Sequence, residues 1–159
     1  MDQLLKLLSE NARFTNKELA VMLKTTESDI DARITEFEKT GVIRGYKTLL
    51  DYEKTAEELV TALIQVNVTP QRDAGFEEIA ESIMLMPEVE TVYLMSGGYD
   101  LTVVVQGKSF KDVAMFVAKR LAPMKNVTST ATHFVLRRYK ELGASFSDVN
   151  CDDRELISP

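Results

Sequence analysis

Cysteine and histidine each occur once in the 159 residues, at Cys151 and His133. A single cysteine cannot close an internal disulfide, and that fits a reducing cytoplasm. A single histidine leaves neither a His-rich metal cluster nor a Ser-His-Asp set within one chain. The acid pairs Glu57-Glu58 and Glu77-Glu78 are sequence neighbours, so their side chains diverge and read as solvated. No enzyme chemistry, metal or cofactor is expected from this inventory. No stretch approaches the roughly 20 consecutive apolar residues that cross a bilayer. The first residues, MDQLLKLLSE, carry acids and no basic lead-in to an apolar run, which is not the pattern of a secretory signal. A cytoplasmic protein without a membrane partner is expected.

An excess of positive charge is also lacking. The net charge is −6, which excludes a generally basic nucleic-acid coat. The balance differs along the chain. Residues 1–50 hold eight Lys/Arg and eight Asp/Glu, whereas residues 51–159 hold eleven against seventeen. A neutral front and an acidic back point to two units with different tasks.

The stretch Thr15–Ile43 carries the clearest local pattern. Thr15 and Glu18 stand in the T-x-x-E spacing of a capping box, and Phe14 precedes the cap. Leu19, Met22 and Leu23 recur at helical spacing. Lys24-Thr25 leaves room only for a turn, Thr26 caps a second helix, and Ile30, Ile34 and Phe37 form one apolar stripe on it. Gly41 suits a left-handed stop. A preceding helix, Gln3–Leu8, offers Leu4, Leu5, Leu7 and Leu8 as packing partners. Short helix, tight turn and longer helix make a helix-turn-helix, whose second helix can enter a DNA major groove. Val42–Leu50 reads as a strand and residues 51–58 as a polar connection.

From Leu59 the period changes to two. Val60, Ala62, Ile64, Val66 and Val68 share one face of a strand. A helix is expected over Arg72–Met86, with Phe76, Ile79, Ala80, Ile83 and Met86 inward and Pro87 as its stop. Strands come next at Val89–Ser96 and Leu101–Gln106, joined by Gly97-Gly98-Tyr99-Asp100, where the glycines supply positive φ. Ser109 caps a helix lined by Phe110, Val113, Phe116, Val117 and Leu121, which Pro123 ends. Val127–Leu136 closes the unit. The order β-α-β-β-α-β is ferredoxin-like, with both helices on one face of an antiparallel sheet. Thr61, Leu63, Gln65, Thr102 and Val104 then fall on the uncovered face. A partly apolar uncovered face calls for a partner, and a homodimer with facing sheets is the expectation.

The helix-turn-helix, the strand Gly41-Val42-Ile43-Arg44-Gly45-Tyr46 and the second unit with its Gly-x-x-Asp turn together resemble the Lrp/AsnC, or feast/famine, family over about residues 2–140. The resemblance implies an α+β protein, with a winged-type helix-turn-helix domain followed by a ferredoxin-like βαββαβ domain. The boundaries expected are 1–50 for the helix-turn-helix and linker strand, 51–58 for the connection, 59–142 for effector binding and oligomerisation, and 143–159 for an acidic extension. It further implies a sequence-specific transcription regulator acting on double-stranded DNA. Its dimers would assemble to tetramers or octamers and take an amino-acid effector between them.

At about 100° per residue, the face of the reading helix opposite Ile30, Ile34 and Phe37 holds Ser28, Ala32, Thr35 and Lys39, with Asp29 and Arg33 beside it. Lys17, Lys24 and Arg44 are candidates for phosphate contacts, with Arg13 and Lys47. Relatives usually place basic residues mid-helix, whereas here Asp29, Asp31 and Glu36 intervene. Weak DNA binding per subunit is the consequence. A ligand-sensing or co-assembling protein with weak or lost DNA binding is the alternative reading. For the effector, Gly97, Gly98, Tyr99 and Asp100 match the family turn: exposed backbone N–H groups suit a carboxylate, and Asp100 suits an ammonium. Thr130 and Thr132 of the last strand are the candidates for the remainder of that pocket. Some proteins of this fold are haem-precursor decarboxylases, but no pocket lined by basic residues and histidines is legible here.

Overall fold

The computed structural model describes residues 1–69 and 75–147. The chain divides into two compact units, Met1–Leu49 and Leu50–Pro159.

The first unit contains three helices: α1 (Gln3–Glu10), α2 (Asn16–Leu23) and α3 (Glu27–Lys39). Each begins on a side-chain cap. Asp2 Oδ1 accepts from Leu4 N–H at 2.8 Å. Thr15 and Glu18 form a complete capping box, with Thr15 N–H donating to Glu18 Oε2 at 2.8 Å and Glu18 N–H to Thr15 Oγ1 at 3.2 Å. Thr26 Oγ1 accepts from Asp29 N–H at 3.2 Å. The turn between α2 and α3 passes through Lys24 in the left-handed region, at φ +54°. Gly41, at φ +72°, stops α3, and the carbonyl of Phe37 accepts from Ile43 N–H at 3.0 Å. Leu4, Leu19, Ala20 and Ile30 are buried together, with Leu7, Leu8, Phe14, Leu23, Ile34 and Phe37 packed around them.

Two expectations for this unit are corrected. Met22 points outward, half exposed, because Leu19 and Leu23 already fill the inner side of the short helix. Val42–Leu50 forms no strand among the described residues. Its unit holds no second strand, and an extended chain without a partner has no ladder to join. Tyr46 is tied back instead, its hydroxyl donating to Glu38 Oε1 at 3.1 Å. Partial burial and that carboxylate together hold the Tyr46 phenol above its ordinary pKa.

The second unit has the order β1 (Val60–Val68), α4 (Glu77–Met84), β2 (Val89–Leu94), β3 (Leu101–Gly107), α5 (Phe110–Phe116) and β4 (Val127–Phe134), with α5 continuing as a π-helical turn over Val117–Leu121. The sheet is antiparallel in the order β2-β3-β1-β4. This is the expected ferredoxin-like arrangement. One face is the core: Ala62, Ile64, Val66, Leu101, Val103 and Val105 meet Ile79 and Ile83 of α4, Val113 and Phe116 of α5, and Leu121. Helix α4 starts later than expected, since Gly75 is left-handed at φ +56° and Glu77 is its first helical residue. Residues 72–74 of the expected helix lie outside the described residues. It stops at Met84, before Pro87, in a tight turn closed by Met86 N–H to Ile83 C=O at 3.0 Å. Strands β2 and β4 end at Leu94 and Phe134, two residues short of the expected limits at each. Phe110 is largely exposed rather than inward, and meets Phe134 edge-on at a centroid distance of 4.8 Å.

Beyond β4, β5 (Lys140–Glu141) and β6 (Ala144–Ser145) form a small hairpin. The remainder of the acidic extension, with Cys151, lies outside the described residues. No helix of the described residues is long and apolar enough to cross a membrane.

Because Ile30 is wholly buried in a unit of this size, truncation reaches most of that unit's stability. Ile30→Ala is expected to cost about 2–5 kcal/mol and to abolish the first cooperative step of a denaturant titration monitored on that unit. Acid acts on the same helices. The bonds from Thr15 hold the Glu18 carboxyl below its usual value. At Asp2, desolvation is the largest single influence and pushes upward, but the Leu4 N–H and the Arg33 guanidinium together outweigh it and the net shift is downward. Groups with depressed folded pKa values contribute stability above their unfolded pKa, which is lost as pH falls through the folded value. Helicity of this unit is therefore expected to fall below about pH 4. Glu18→Gln, which can retain the capping geometry, makes that fall shallower in a circular-dichroism pH titration.

Candidate nucleic-acid interface and ligand turn

The rotation of α3 about its axis is set by Ile30, fully buried, with Ile34 and Phe37 half-buried on the same side. Ser28, Ala32 and Lys39 consequently stand exposed on the far side, and Thr35 is half-buried beside them.

Three of the five acids of α3, which as a sequence threaten any approach to phosphate, have partners inside the unit: Asp29, Asp31 and Glu38. Asp29 Oδ2 accepts from Thr25 Oγ1 at 3.0 Å and lies 3.7 Å from Arg33 Nη1. Asp31 Oδ1 accepts from Asn16 Nδ2 at 3.2 Å, tying α3 to the start of α2. Glu38 is held by Tyr46. Arg33 is committed as well: its Nη2 lies 2.9 Å from both carboxylate oxygens of Asp2. One carboxylate therefore caps α1 and clamps α3. The cap was legible from an Asp directly before the helix, but no local signal pairs residues 31 apart. Of the residues expected to meet DNA, Asp29 and Arg33 thus serve the packing of the unit in this structure. Lys17 and Lys24 are exposed on α2 and the turn after it. Arg44 is exposed, with its guanidinium folded over Gly41: a Cβ at that glycine would lie 3.1 Å from Arg44 Cζ.

In the second unit Gly97, Gly98, Tyr99 and Asp100 form an irregular connection between β2 and β3. Gly97 alone of the two glycines takes a positive φ, +152°, and a Cβ at either would meet nothing within 4 Å. The expectation of positive φ at Gly98 is corrected; a connection longer than a two-residue turn does not need it. Asp100 knits this connection to the end of β1. Its N–H donates to Val66 C=O at 3.1 Å, and its Oδ2 accepts from Val68 N–H at 2.8 Å, where the β1–β4 register shifts. Tyr99 Oη accepts from Thr102 Oγ1 at 3.2 Å. Thr102 is only 7% exposed on the helix-free face, shielded by this contact. Thr130 and Thr132 pair with Val66 and Ile64, so they share the helix-covered side. Strand β1 separates them from the turn, and strands two apart in a sheet are about 10 Å apart. The turn residues are thus gathered at one end of β1, while the two threonines flank that strand on its other side.

On the helix-free face Leu63 is 40% and Tyr93 59% exposed, with Val104 half-buried between their strands. Among the described residues no group of three or more His, Cys, Asp or Glu is placed to hold a metal ion.

Comparison with known proteins accounts for both units. Residues 61–144 match the family model of the Lrp/AsnC ligand binding domain, and residues 3–44 match that of a winged helix-turn-helix DNA-binding domain. The chain is 43% identical over 158 residues to the uncharacterized HTH-type transcriptional regulator YugG of Bacillus subtilis, spanning 99% of this chain and 95% of that protein. It is 28% identical over 139 residues to the leucine-responsive regulatory protein of Rhizobium meliloti, spanning 87% and 88%. Among solved structures, the transcriptional regulator NMB0573 of Neisseria meningitidis, in complex with L-Met, is similar with a TM-score of 0.71 at 28% identity, covering 89% of this chain and 93% of that one. The chain belongs to the Lrp/AsnC family: it is a DNA-binding transcriptional regulator with a ligand-binding domain, not an enzyme.

Proposed function

We propose that α3 enters the major groove with Ser28, Ala32, Thr35 and Lys39 toward the bases, while Lys17, Lys24 and Arg44 hold phosphates. The observation that carries this reading is the outward face of α3, with Asp29, Asp31 and Glu38 each bonded within their own unit. Ser28 and Thr35 offer hydroxyls to base edges, and Ala32 offers a methyl to thymine. Few cations serve each head, so affinity per subunit is low, and several heads on one assembly recover it through effective concentration. The internal bonding of Asp29, Asp31 and Glu38 favours this reading over that of a member whose DNA binding is lost.

The assembly forms when helix-free sheet faces meet, with Leu63, Val104 and Tyr93 in the contact, and dimers then join into tetramers or octamers. The effector is an amino acid at the Gly97–Asp100 turn. Backbone N–H groups there take its carboxylate and Asp100 its ammonium, through the carboxylate oxygen not engaged by Val68. Thr130 and Thr132 contribute from another subunit, as their separation from the turn within one chain requires. The L-Met bound in the relative's structure supports this ligand class.

The test is a titration of the protein's own promoter DNA at two salt concentrations, with and without individual amino acids. Lys17→Ala is expected to weaken binding to all sequences and to lower the salt slope by about 1. Ser28→Ala relaxes base preference, costing about 1–3 kcal/mol at the position it reads. Arg33→Ala is the contrast: it lowers the melting temperature of the first unit, by the equivalent of at most about 1 kcal/mol for so exposed a pair, and leaves the salt slope unchanged. Full binding by Ser28→Ala and Lys39→Ala combined would place the wrong face of α3 in the groove. In the same titration, Asp100→Asn is expected to abolish the response to amino acid without weakening DNA binding in its absence.

A further inference from the structure

Four of the five acids on α3 have a structural reason to be where they are. Asp29, Asp31 and Glu38 are hydrogen-bonded within the unit. Glu27 is the first residue of the helix, where the positive end of the helix dipole favours a carboxylate. Glu36 is the exception. It lies three residues before the helix end, where the negative end of the dipole disfavours its charge. Its carbonyl accepts from Thr40 N–H at 2.9 Å and from Thr40 Oγ1 at 2.8 Å. Its carboxylate has no hydrogen bond and no ion pair among the described residues. Arg33, three residues earlier, is turned to Asp2 and Asp29 instead.

The direction of Glu36 is set by the anchor that sets the rest of the helix. At about 100° per residue, Glu36 lies as far to one side of the outward midline as Thr35 lies to the other. Ala32 stands one turn before it and Lys39 one turn after. The Glu36 side chain is exposed. It therefore belongs to the surface that carries Ser28, Ala32 and Lys39.

We propose that Glu36 reads a cytosine in the major groove. The inference rests on α3 entering that groove by its outward face. An ionised carboxylate can only accept hydrogen bonds. The major-groove edges offer two donors, the N4 amino group of cytosine and the N6 amino group of adenine. In adenine the donor stands beside N7, an acceptor that repels a carboxylate. Guanine presents acceptors alone, and thymine an acceptor and a methyl group. Cytosine is the base whose own edge offers a donor with no neighbouring acceptor. A carboxylate here is also repelled by phosphates, so it lowers affinity for unrelated DNA while raising the preference for its own site. A residue that weakens the grip of each head on DNA at large thereby supplies discrimination.

The experiment is selection by the full chain from a pool of randomised duplexes, read by sequencing, for the parent, Glu36→Ala, Glu36→Gln and Ser28→Ala. Thermal melting checks that each variant folds as the parent does. The parent is expected to enrich cytosine at one position of the selected site. Glu36→Ala lowers that preference by about tenfold, the worth of one good base contact, and binds an unrelated duplex more tightly than the parent. The position it relaxes differs from the one relaxed in Ser28→Ala, because the two residues are about 12 Å apart along the helix axis. Glu36→Gln moves the preference from cytosine to adenine, whose N6 and N7 a carboxamide can bind together. Tighter binding of every duplex by Glu36→Ala, with an unchanged base profile, would show a carboxylate that only repels, and overturns the proposal. If Ser28→Ala changes the profile in that case, the outward face of α3 stands and the role of Glu36 alone falls. If neither variant changes the profile, both fall.

Discussion

The burial of Ile30 against Leu4 and Leu19 is the constraint that governs the first unit. An α-helix can present only one face to a core, and the side that faces away is decided by which residue is anchored. With Ile30 inward, Ser28, Ala32 and Lys39 face outward, and no change of surface charge can exchange the two sides. The capping box on α2, the left-handed Lys24 and the left-handed Gly41 fix where α3 starts and stops. Together with the Arg33–Asp2 clamp, they set its axial position as well as its rotation. A small three-helix unit needs these local devices because its core contains few side chains.

In the second unit the corresponding constraint is the central position of β1. It pairs with β3 on one side and β4 on the other, so its alternation of Ala62, Ile64, Val66 and Val68 decides which face of the whole sheet the helices cover. Asp100 reaches from the β2–β3 connection to the end of this strand and binds both Val66 and Val68. The connection is thereby held against the sheet, leaving Gly97 and Gly98 with open space around them.

Much of this was legible in the sequence where the signal is local or periodic. Thr15, Glu18, Thr26, Gly41 and Ser109 occupy their expected capping or stop positions, because a cap depends on neighbours three residues away. The two-residue alternation of β1 was likewise sufficient to assign its faces. What the sequence concealed was contact at long range. The charge pattern of α3 read as hostile to DNA because nothing local says that Asp31 bonds Asn16 or that Arg33 reaches Asp2. Val42–Leu50 has the composition of a strand, but strand formation is decided by a neighbour, and the unit supplies none. Of the candidate ligand residues, the four in the turn are contiguous and fold together. Thr130 and Thr132 alternate correctly on β4, but their separation from the turn depends on strand order, which periodicity does not carry. The π turn after α5 was outside the reach of a period-3.6 reading, which treats that segment as one continuous helix.

Whether the side of α3 opposite Ile30 is the one presented to DNA is decided most directly by site-directed photocrosslinking. A photoreactive side chain at Ala32 is compared with one at Lys6, which is exposed on α1. The Ala32 position is expected to crosslink to bases of the promoter duplex, and the Lys6 position is not. Efficient crosslinking from Lys6 with none from Ala32 would contradict the orientation proposed for α3.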